Sequence, residues 1–253
     1  MDRGTYAASS AGMVALRRLD IANNNVANIN TPGFKRQLLV SRAREFDETL
    51  ARFVENEAPF ARGDNERTPS SVSVQAVTDF TLGPIQTTGE KMDVALGNEN
   101  QFFVLQTPEG DRYTRAGNFT LNGEGKVVSQ DGFIVKSTSG EITVRGAGAE
   151  ISSNGTVRAE GVSAGRILVV EFPNTEGLVR EAGARFALPI GADAPEEAES
   201  PSIIAGALEQ ANVSTFKSIT ELISVNRAFE FYAKAAQTID RMNEQAISKV
   251  GSK

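Results

Sequence analysis

The stretch Ile21-Ala22-Asn23-Asn24-Asn25-Val26-Ala27-Asn28-Ile29-Asn30-Thr31-Pro32-Gly33-Phe34 decides how this chain is built, because a helical repeat enters it and cannot pass through. Pro32 pushes Thr31 out of the α region, and Gly33 opens backbone conformations that allow a sharp change of direction. A helix is therefore expected to stop near Asn28 to Asn30, with Thr31, Pro32 and Gly33 as the chain bend. Upstream, Ala8, Ala11, Ala15, Leu19, Ala22, Val26 and Ile29 recur at steps of three or four, which places them in one stripe down a helix. The stripe is mostly alanine. Small side chains bury little apolar area apiece, so such a helix gains stability only when another lies along it.

The far end of the chain carries a matching seam. Ile219, Leu222, Val225, Phe229, Tyr232, Ala236, Ile239, Met242, Ala246 and Val250 keep a similar rhythm, close to that of a coiled coil. At about 1.5 Å per residue this helix would be roughly 50 Å long, more than a small globular core needs. Two readings stay open here: terminal helices that pair and assemble with other subunits, or a helical hairpin lying on the protein's own sheet.

Between the ends the pattern changes. Turn signals arrive at Gly83-Pro84, Pro108-Glu109-Gly110, Asn122-Gly123, Asp131-Gly132, Ser139-Gly140 and Asn154-Gly155, at intervals suited to short antiparallel strands. Runs at 102–106, 112–115, 119–121, 126–129, 133–136, 141–145, 156–158 and 166–172 are rich in β-branched and aromatic residues. The segment from 37 to about 54 reads as helical or irregular, and the acidic 193–199 as an exposed loop. The fold class expected is α+β: N- and C-terminal helices forming a coiled-coil-like pair, with an inserted all-β antiparallel middle domain. The organisation is an N-terminal helix over 1–30, a connector over 31–74, a β-rich domain over 75–205 and a C-terminal helix over 206–253.

Composition excludes whole classes of chemistry. The 253 residues contain no histidine, cysteine or tryptophan, so His-based triads, His or Cys metal sites, thiol catalysis and disulfides are out of reach. A net charge of −6 argues against a nucleic-acid partner, which calls for a basic face. Lys35, Arg36, Arg42 and Arg44 are answered nearby by Glu45, Asp47 and Glu48, and that segment reads as a solvated face. No apolar run approaches the roughly 18 residues of a membrane span, and no basic n-region precedes an apolar stretch at the start. Export would then need a route without a cleaved signal.

Motifs for catalysis or cofactors are weak. Gly146-Ala147-Gly148 lacks the third glycine of a dinucleotide site, and Gly123-Glu124-Gly125-Lys126 lacks the spacing of a phosphate loop. Asn122-Gly123-Glu124-Gly125 lacks the ordered acidic ligands of a calcium loop. Asn212-Val213-Ser214 matches a glycosylation acceptor, a pattern too short to carry weight. No catalytic residue, metal ligand or cofactor is assigned. A β-rich glycosidase using Asp111 and Asp131 would need both acids converging in a cleft, and a free-standing β-rich binding module would make the helices dispensable.

The asparagines are different. Asn23, Asn24, Asn25, Asn28 and Asn30 crowd the helix end, although each costs up to about 0.7 kcal/mol relative to alanine in a helix interior. Amides that donate and accept can fix the register of a neighbouring segment; a frayed helix end in water would also tolerate them. Here a resemblance enters. The run from Ile21 to Arg36 resembles the N-terminal signature of bacterial flagellar rod and hook proteins, with Asn23 where that family usually has alanine. Phe102-Phe103-Val104, Arg112-Tyr113-Thr114-Arg115-Ala116-Gly117-Asn118-Phe119 and Asp131-Gly132-Phe133 resemble the family's middle core, with Gln101 where glycine is common. Gly206-Ala207-Leu208-Glu209-Gln210-Ala211-Asn212-Val213 and Asn226-Arg227-Ala228-Phe229-Glu230 resemble its C-terminal segment.

Within the family the chain is most similar to the proximal rod subunits, with distal rod and hook-type axial subunits as the alternative. The resemblance implies a structural, non-enzymatic subunit of the flagellar basal body spanning the periplasmic space. Its partners would be copies of itself and other rod proteins, with the type III export apparatus in transit. It would have no nucleic acid, no membrane span and no cofactor. It also implies roles: Ala8, Ala11, Ala15, Leu19, Asn24, Asn25, Asn28, Asn30, Leu222, Arg227, Phe229, Tyr232 and Ile239 at the assembly interface, with Asn24, Asn25 and Asn28 setting register. Gly33→Val should on this reading impair assembly more than folding of the β domain. An isolated monomer should keep a folded β domain while its helices exchange amide hydrogens rapidly, because an alanine seam alone does not offset the ordering entropy. Strong protection across 8–29 and 219–239 in a verified monomer would contradict it.

Overall fold

Phe102, Phe103, Val104 and Leu105 form a continuous apolar run, and in a strand successive side chains point to opposite faces. Such a strand must be covered on both sides. The computed structural model describes residues 3–44, 71–144, 146, 148–175 and 177–251. The chain runs through α1 (Arg3–Ala27), β1 (Gln37–Arg44), β2 (Ser71–Thr78), β3 (Ile85–Thr87), β4 (Val94–Leu96), β5 (Gln101–Thr107) and β6 (Gly110–Thr114). A series of short strands follows, and the chain ends in α2 (Thr215–Gly251). The architecture is α+β, two terminal helices flanking a large antiparallel β region. It divides into two compact units. One contains α1 to residue 24, β1, most of β2 and α2 from residue 216; the other contains 25–36 and 78–215.

In the second unit, β5 is the centre of a ten-stranded sheet among the described residues. Strand β6 pairs along one edge, and Val169–Glu171 and Ile134–Ser137 share the other, all antiparallel. Phe103 and Leu105 enter one core with Phe119, Val127, Val135 and Ile167. Phe102 and Val104 enter the other with Phe80, Tyr113, Phe172 and Phe186. In this second core the rings meet edge to face, Phe102 with Phe80 at 5.6 Å and with Phe172 at 5.4 Å between centroids. Two small pairings complete the unit: Ile203–Ala205 on β4 and Ala207–Glu209 on β3.

Three local expectations change. The segment from 37 is a strand, not a helix or irregular coil: β1 pairs with β2, and its partner lies too far along the sequence for local propensity to reveal. The remainder of the expected connector, 45–70, lies outside the described residues. Residues 207–209, expected in the C-terminal helix, form a strand on β3 entered through Gly206 at φ 66°, and α2 begins only at Thr215. Within the acidic 193–199, Glu196 and Glu197 pair with Glu171 and Val170. Sheet pairing there recruits backbone groups whatever the charge of the side chains.

On α1, Ala15, Ile21, Ala22 and Asn25 are buried and Ala11, Leu19 and Val26 half-buried, while Met13 and Leu16 are exposed. On α2, Val225 is buried and Leu222, Phe229, Tyr232, Ala236 and Ile239 are half-buried. Ile219 and Met242 leave the expected seam. With 3.6 residues per turn they fall on the opposite side of the helix, with exposed Phe216, Ile223 and Phe231.

Phe102→Ala is expected to lower the unfolding free energy of the β unit by about 3–5 kcal/mol in a urea titration, since it empties a fully buried site among three rings. Val162→Ala, at a position 71% exposed, should change it by less than about 0.5 kcal/mol.

Candidate functional site: a buried ion cluster at the helix roots

Helix α1 stops at Ala27, and the next residues fold into consecutive turns. The Thr31 amide donates to the Asn28 carbonyl at 3.0 Å, and the Phe34 amide to that of Thr31 at 3.2 Å. The Thr31 hydroxyl donates to Asn28 Oδ1 at 3.2 Å. Gly33 has φ 69°, in the left-handed region that favours glycine, and its amide donates to the Glu209 carbonyl at 2.7 Å. A Cβ at Gly33 would lie 2.3 Å from the Ala116 nitrogen. The glycine thus lets the chain lie directly on the 115–116 backbone.

That close approach delivers Lys35 into the protein. Lys35 Nζ donates to Glu209 Oε1 at 2.7 Å and to the carbonyls of Thr81 at 2.6 Å and Phe80 at 3.2 Å, which uses all three ammonium hydrogens. Glu209 Oε1 also accepts from the Gly83 amide at 2.9 Å. Its other oxygen, Oε2, accepts from Arg115 Nε at 2.8 Å and lies 2.8 Å from Nη2. The remaining Arg115 hydrogens go to the carbonyls of Leu96, Asn98 and Gln101. The three charged side chains are sealed from solvent, their ion-pairing side chains 0% exposed.

One carboxylate between two cations leaves a surplus positive charge, which five carbonyl dipoles face. Burial lowers the pKa of Lys35 and of Arg115; Glu209 opposes the shift in both, and Arg115 adds to it for Lys35. A shell of further bonds holds the cluster. The Arg36 amide donates to Asn212 Oδ1 at 2.7 Å, and Asn212 Nδ2 to the Asp79 carbonyl at 2.8 Å. Arg36 pairs with the Asp79 carboxylate at 2.8 Å. Burial alone would raise the pKa of Asp79, but bonds from Thr81 and Arg36 outweigh it and lower it. Arg180 lies 3.9 Å above the Phe34 ring and donates to the Lys35 carbonyl at 2.8 Å; burial lowers its pKa to about 10, so it stays charged at neutral pH.

The residues expected to matter from sequence divide sharply. Thr31, Pro32 and Gly33 lie at this site. Ala11, Ala15, Leu19, Leu222, Phe229, Tyr232 and Ile239 lie on the half-buried to buried sides of the helices, and Arg227 is exposed on α2 between Ile223 and Phe231. The side chain of Ala8 lies outside the described residues. Asn25 is buried, Asn28 half-buried and bonded to Thr31, and Asn24 and Asn30 exposed. The reading of Lys35 and Arg36 as a solvated face changes: Lys35 is buried against Glu209, and Arg36 pairs with Asp79, while Glu45, Asp47 and Glu48 lie outside the described residues. Local charge counting fails because the true partner of Lys35 is 174 positions away. Arg115, Glu209 and Asn212 were missed as site residues, although each stands in a stretch quoted for the family resemblance. Asp111 and Asp131 are engaged in separate exposed pairs with Lys136 and Arg185. Among the described residues no group of three or more acids suits a metal ion, and no helix is long and apolar enough to cross a membrane.

The geometry at Gly33 alters the expected phenotype of Gly33→Val. The added side chain would meet the backbone of the β unit itself, so folding of that unit, and not assembly alone, should suffer. A loss of about 2–5 kcal/mol in the urea titration of the β unit is expected from the strained φ and the overlap together. An unchanged midpoint would show that the turn can move away at little cost.

The segments that converge here coincide with three matched family regions. Residues 6–35 match the description "Flagella basal body rod protein", 98–159 match "Flagellar hook protein FlgE/F/G D1 domain", and 204–249 match "Flagellar basal body rod FlgEFG protein C-terminal". Lys35, Arg115 and Glu209 fall one in each. The chain is 31% identical to the flagellar basal-body rod protein FlgF of Caulobacter vibrioides, over 99% of both chains. It is 30% identical to FlgG of the same organism, over 96% of this chain and 98% of the relative. It is also 30% identical to the flagellar hook-basal body complex protein FlhO of Bacillus subtilis, over 99% of both. The buried cluster is thus the meeting point of the matched regions of a chain that belongs to the FlgF-like branch of the flagellar basal-body rod proteins, a family of structural subunits.

Proposed function

We propose that this chain is a proximal rod subunit. It polymerises through its terminal helices, with copies of itself and with other rod proteins, into the shaft that transmits torque. The observation that carries this reading is the second apolar face of α2. Phe216, Ile219, Ile223, Phe231 and Met242 are between 45% and 82% exposed, opposite the side on which Leu222, Val225, Phe229 and Tyr232 are withdrawn from solvent. A helix apolar on both sides suits a position between neighbours rather than at a surface. Met13 and Leu16 give α1 a smaller version of the same feature.

The inner stripes support a coiled-coil-like pairing of α1 with α2, with Asn24, Asn25 and Asn28 setting register near the bend. The outer stripes, with Arg227 between Ile223 and Phe231, then meet adjacent subunits by a head-to-tail operation that need not close. The proximal position is supported by the relative named FlgF, 31% identical over 99% of both chains. The subunit leaves the cytoplasm unfolded through the type III export apparatus and assembles across the periplasmic space.

Ile223→Asp combined with Phe231→Asp is expected to leave the β unit's melting unchanged, permit export and abolish motility, with rods ending where this subunit should enter. Phe229→Asp with Ile239→Asp should do the same from the inner side, at a cost of several kcal/mol per subunit for each buried carboxylate. Normal motility in both double variants would overturn assembly through the helices. Labelled subunits imaged at the distal end of isolated basal bodies would overturn the proximal position alone.

A further inference from the structure

Glu209 does more than neutralise two cations. Its carboxylate holds Lys35, which lies eight residues beyond the end of α1, and its own backbone carbonyl holds Gly33. Glu209 itself stands six residues before α2 begins. Asn212 adds a second tie, accepting from the Arg36 amide through its side chain while its own amide donates to the Phe34 carbonyl at 3.3 Å. The departing and returning chains are therefore bonded to each other as well as to the β unit. Arg115, fixed by three carbonyls at the end of β6, is the anchor on the sheet side.

We infer that the Lys35–Glu209–Arg115 triad is a clasp that fixes where both terminal helices leave the β unit, and that it opens locally without unfolding the sheet. The two apolar cores hold the sheet through contacts among residues 80–203, and the triad meets them where the Arg115 guanidinium lies 5.7 Å from the Phe102 ring centroid. The roots, 28–36 and 207–212, are bonded to each other through Glu209 and its neighbour Asn212, and further ties run from Arg180 to the Lys35 carbonyl, from Arg36 to Asp79 and from Gln210 to the Pro84 carbonyl. Removing the one carboxylate leaves Lys35 and Arg115 facing each other's charge in a dry site, and the mobile member of the pair is the root that carries Lys35. The clasp closes across 174 positions of sequence, so it needs the C-terminal segment in place. The inference rests on contacts inside the β unit and stands apart from the rod reading.

Hydrogen exchange read by mass spectrometry on the full chain tests it. In Glu209→Gln, exchange at Gly33, Phe34, Arg36, Gln210 and Asn212 should accelerate about a hundredfold relative to Phe102–Leu105, the local opening that loss of a buried ionic partner predicts. If the roots and β5 accelerate together, or neither changes, the triad is an ordinary part of the global fold and the clasp is refuted. Should Glu209→Gln fail to fold, Lys35→Met decides, because it leaves a neutral Glu209–Arg115 pair. It should free Phe34 and Arg36 while Gln210, bonded to the Pro84 carbonyl at 2.8 Å, keeps its protection. Equal loss at both roots and at β5 in this variant likewise refutes the clasp.

Discussion

A carboxylate buried between a lysine and an arginine is the constraint that ties residues 33–36 to residues 207–212 within the β unit. Taking Glu209, Lys35 and Arg115 out of water costs several kcal/mol per ion, so the site is tolerable only because every donor has an acceptor. The lysine uses three bonds, the arginine reaches three carbonyls besides the carboxylate, and the carboxylate adds the Gly83 amide. A hydrophobic trio of similar volume could stabilise as much. What an ionic cluster adds is direction: each bond has one geometry, and together they admit one placement of the chain entering from α1 and one of the chain leaving toward α2.

The two cores on either side of β5 provide the rigid base for that cluster. Arg115 follows directly from β6, whose Tyr113 and Thr114 pair with Val104 and Phe103. Glu209 sits in a strand paired with Ile85 of β3. Both are therefore held by sheet hydrogen bonds independent of their charge. Lys35 is the exception, delivered by a turn in which Gly33 must lie against the 115–116 backbone. The most conformationally demanding residue of the bend and the most costly charge of the cluster are thus two positions apart, and the structure needs both.

The helices carry apolar residues on opposite sides of α2. The cluster belongs to the β unit and fixes the chain at 33–36 and 207–212. Neither resembles a catalytic site, and the paired acids Asp111 and Asp131 are each neutralised on the surface by a basic neighbour.

The sequence by itself determined the helix that ends before Pro32, the long C-terminal helix, the run of short antiparallel strands and the family, because these follow from local steric rules, periodicity and motif order. Gly33 was legible as a turn for the same reason. The sequence did not reveal that β1 pairs with β2, that Ala207–Glu209 is a strand, or that Lys35 is buried, since each depends on a partner far along the chain. Steps of three or four joined Ile219 and Met242 to the stripe of Leu222 and Phe229, although the 3.6-residue turn carries both round to the exposed side of α2. The ion cluster was invisible for a physical reason: a charge looks solvated until the fold brings its counter-charge, here 174 residues away, into a site closed to solvent.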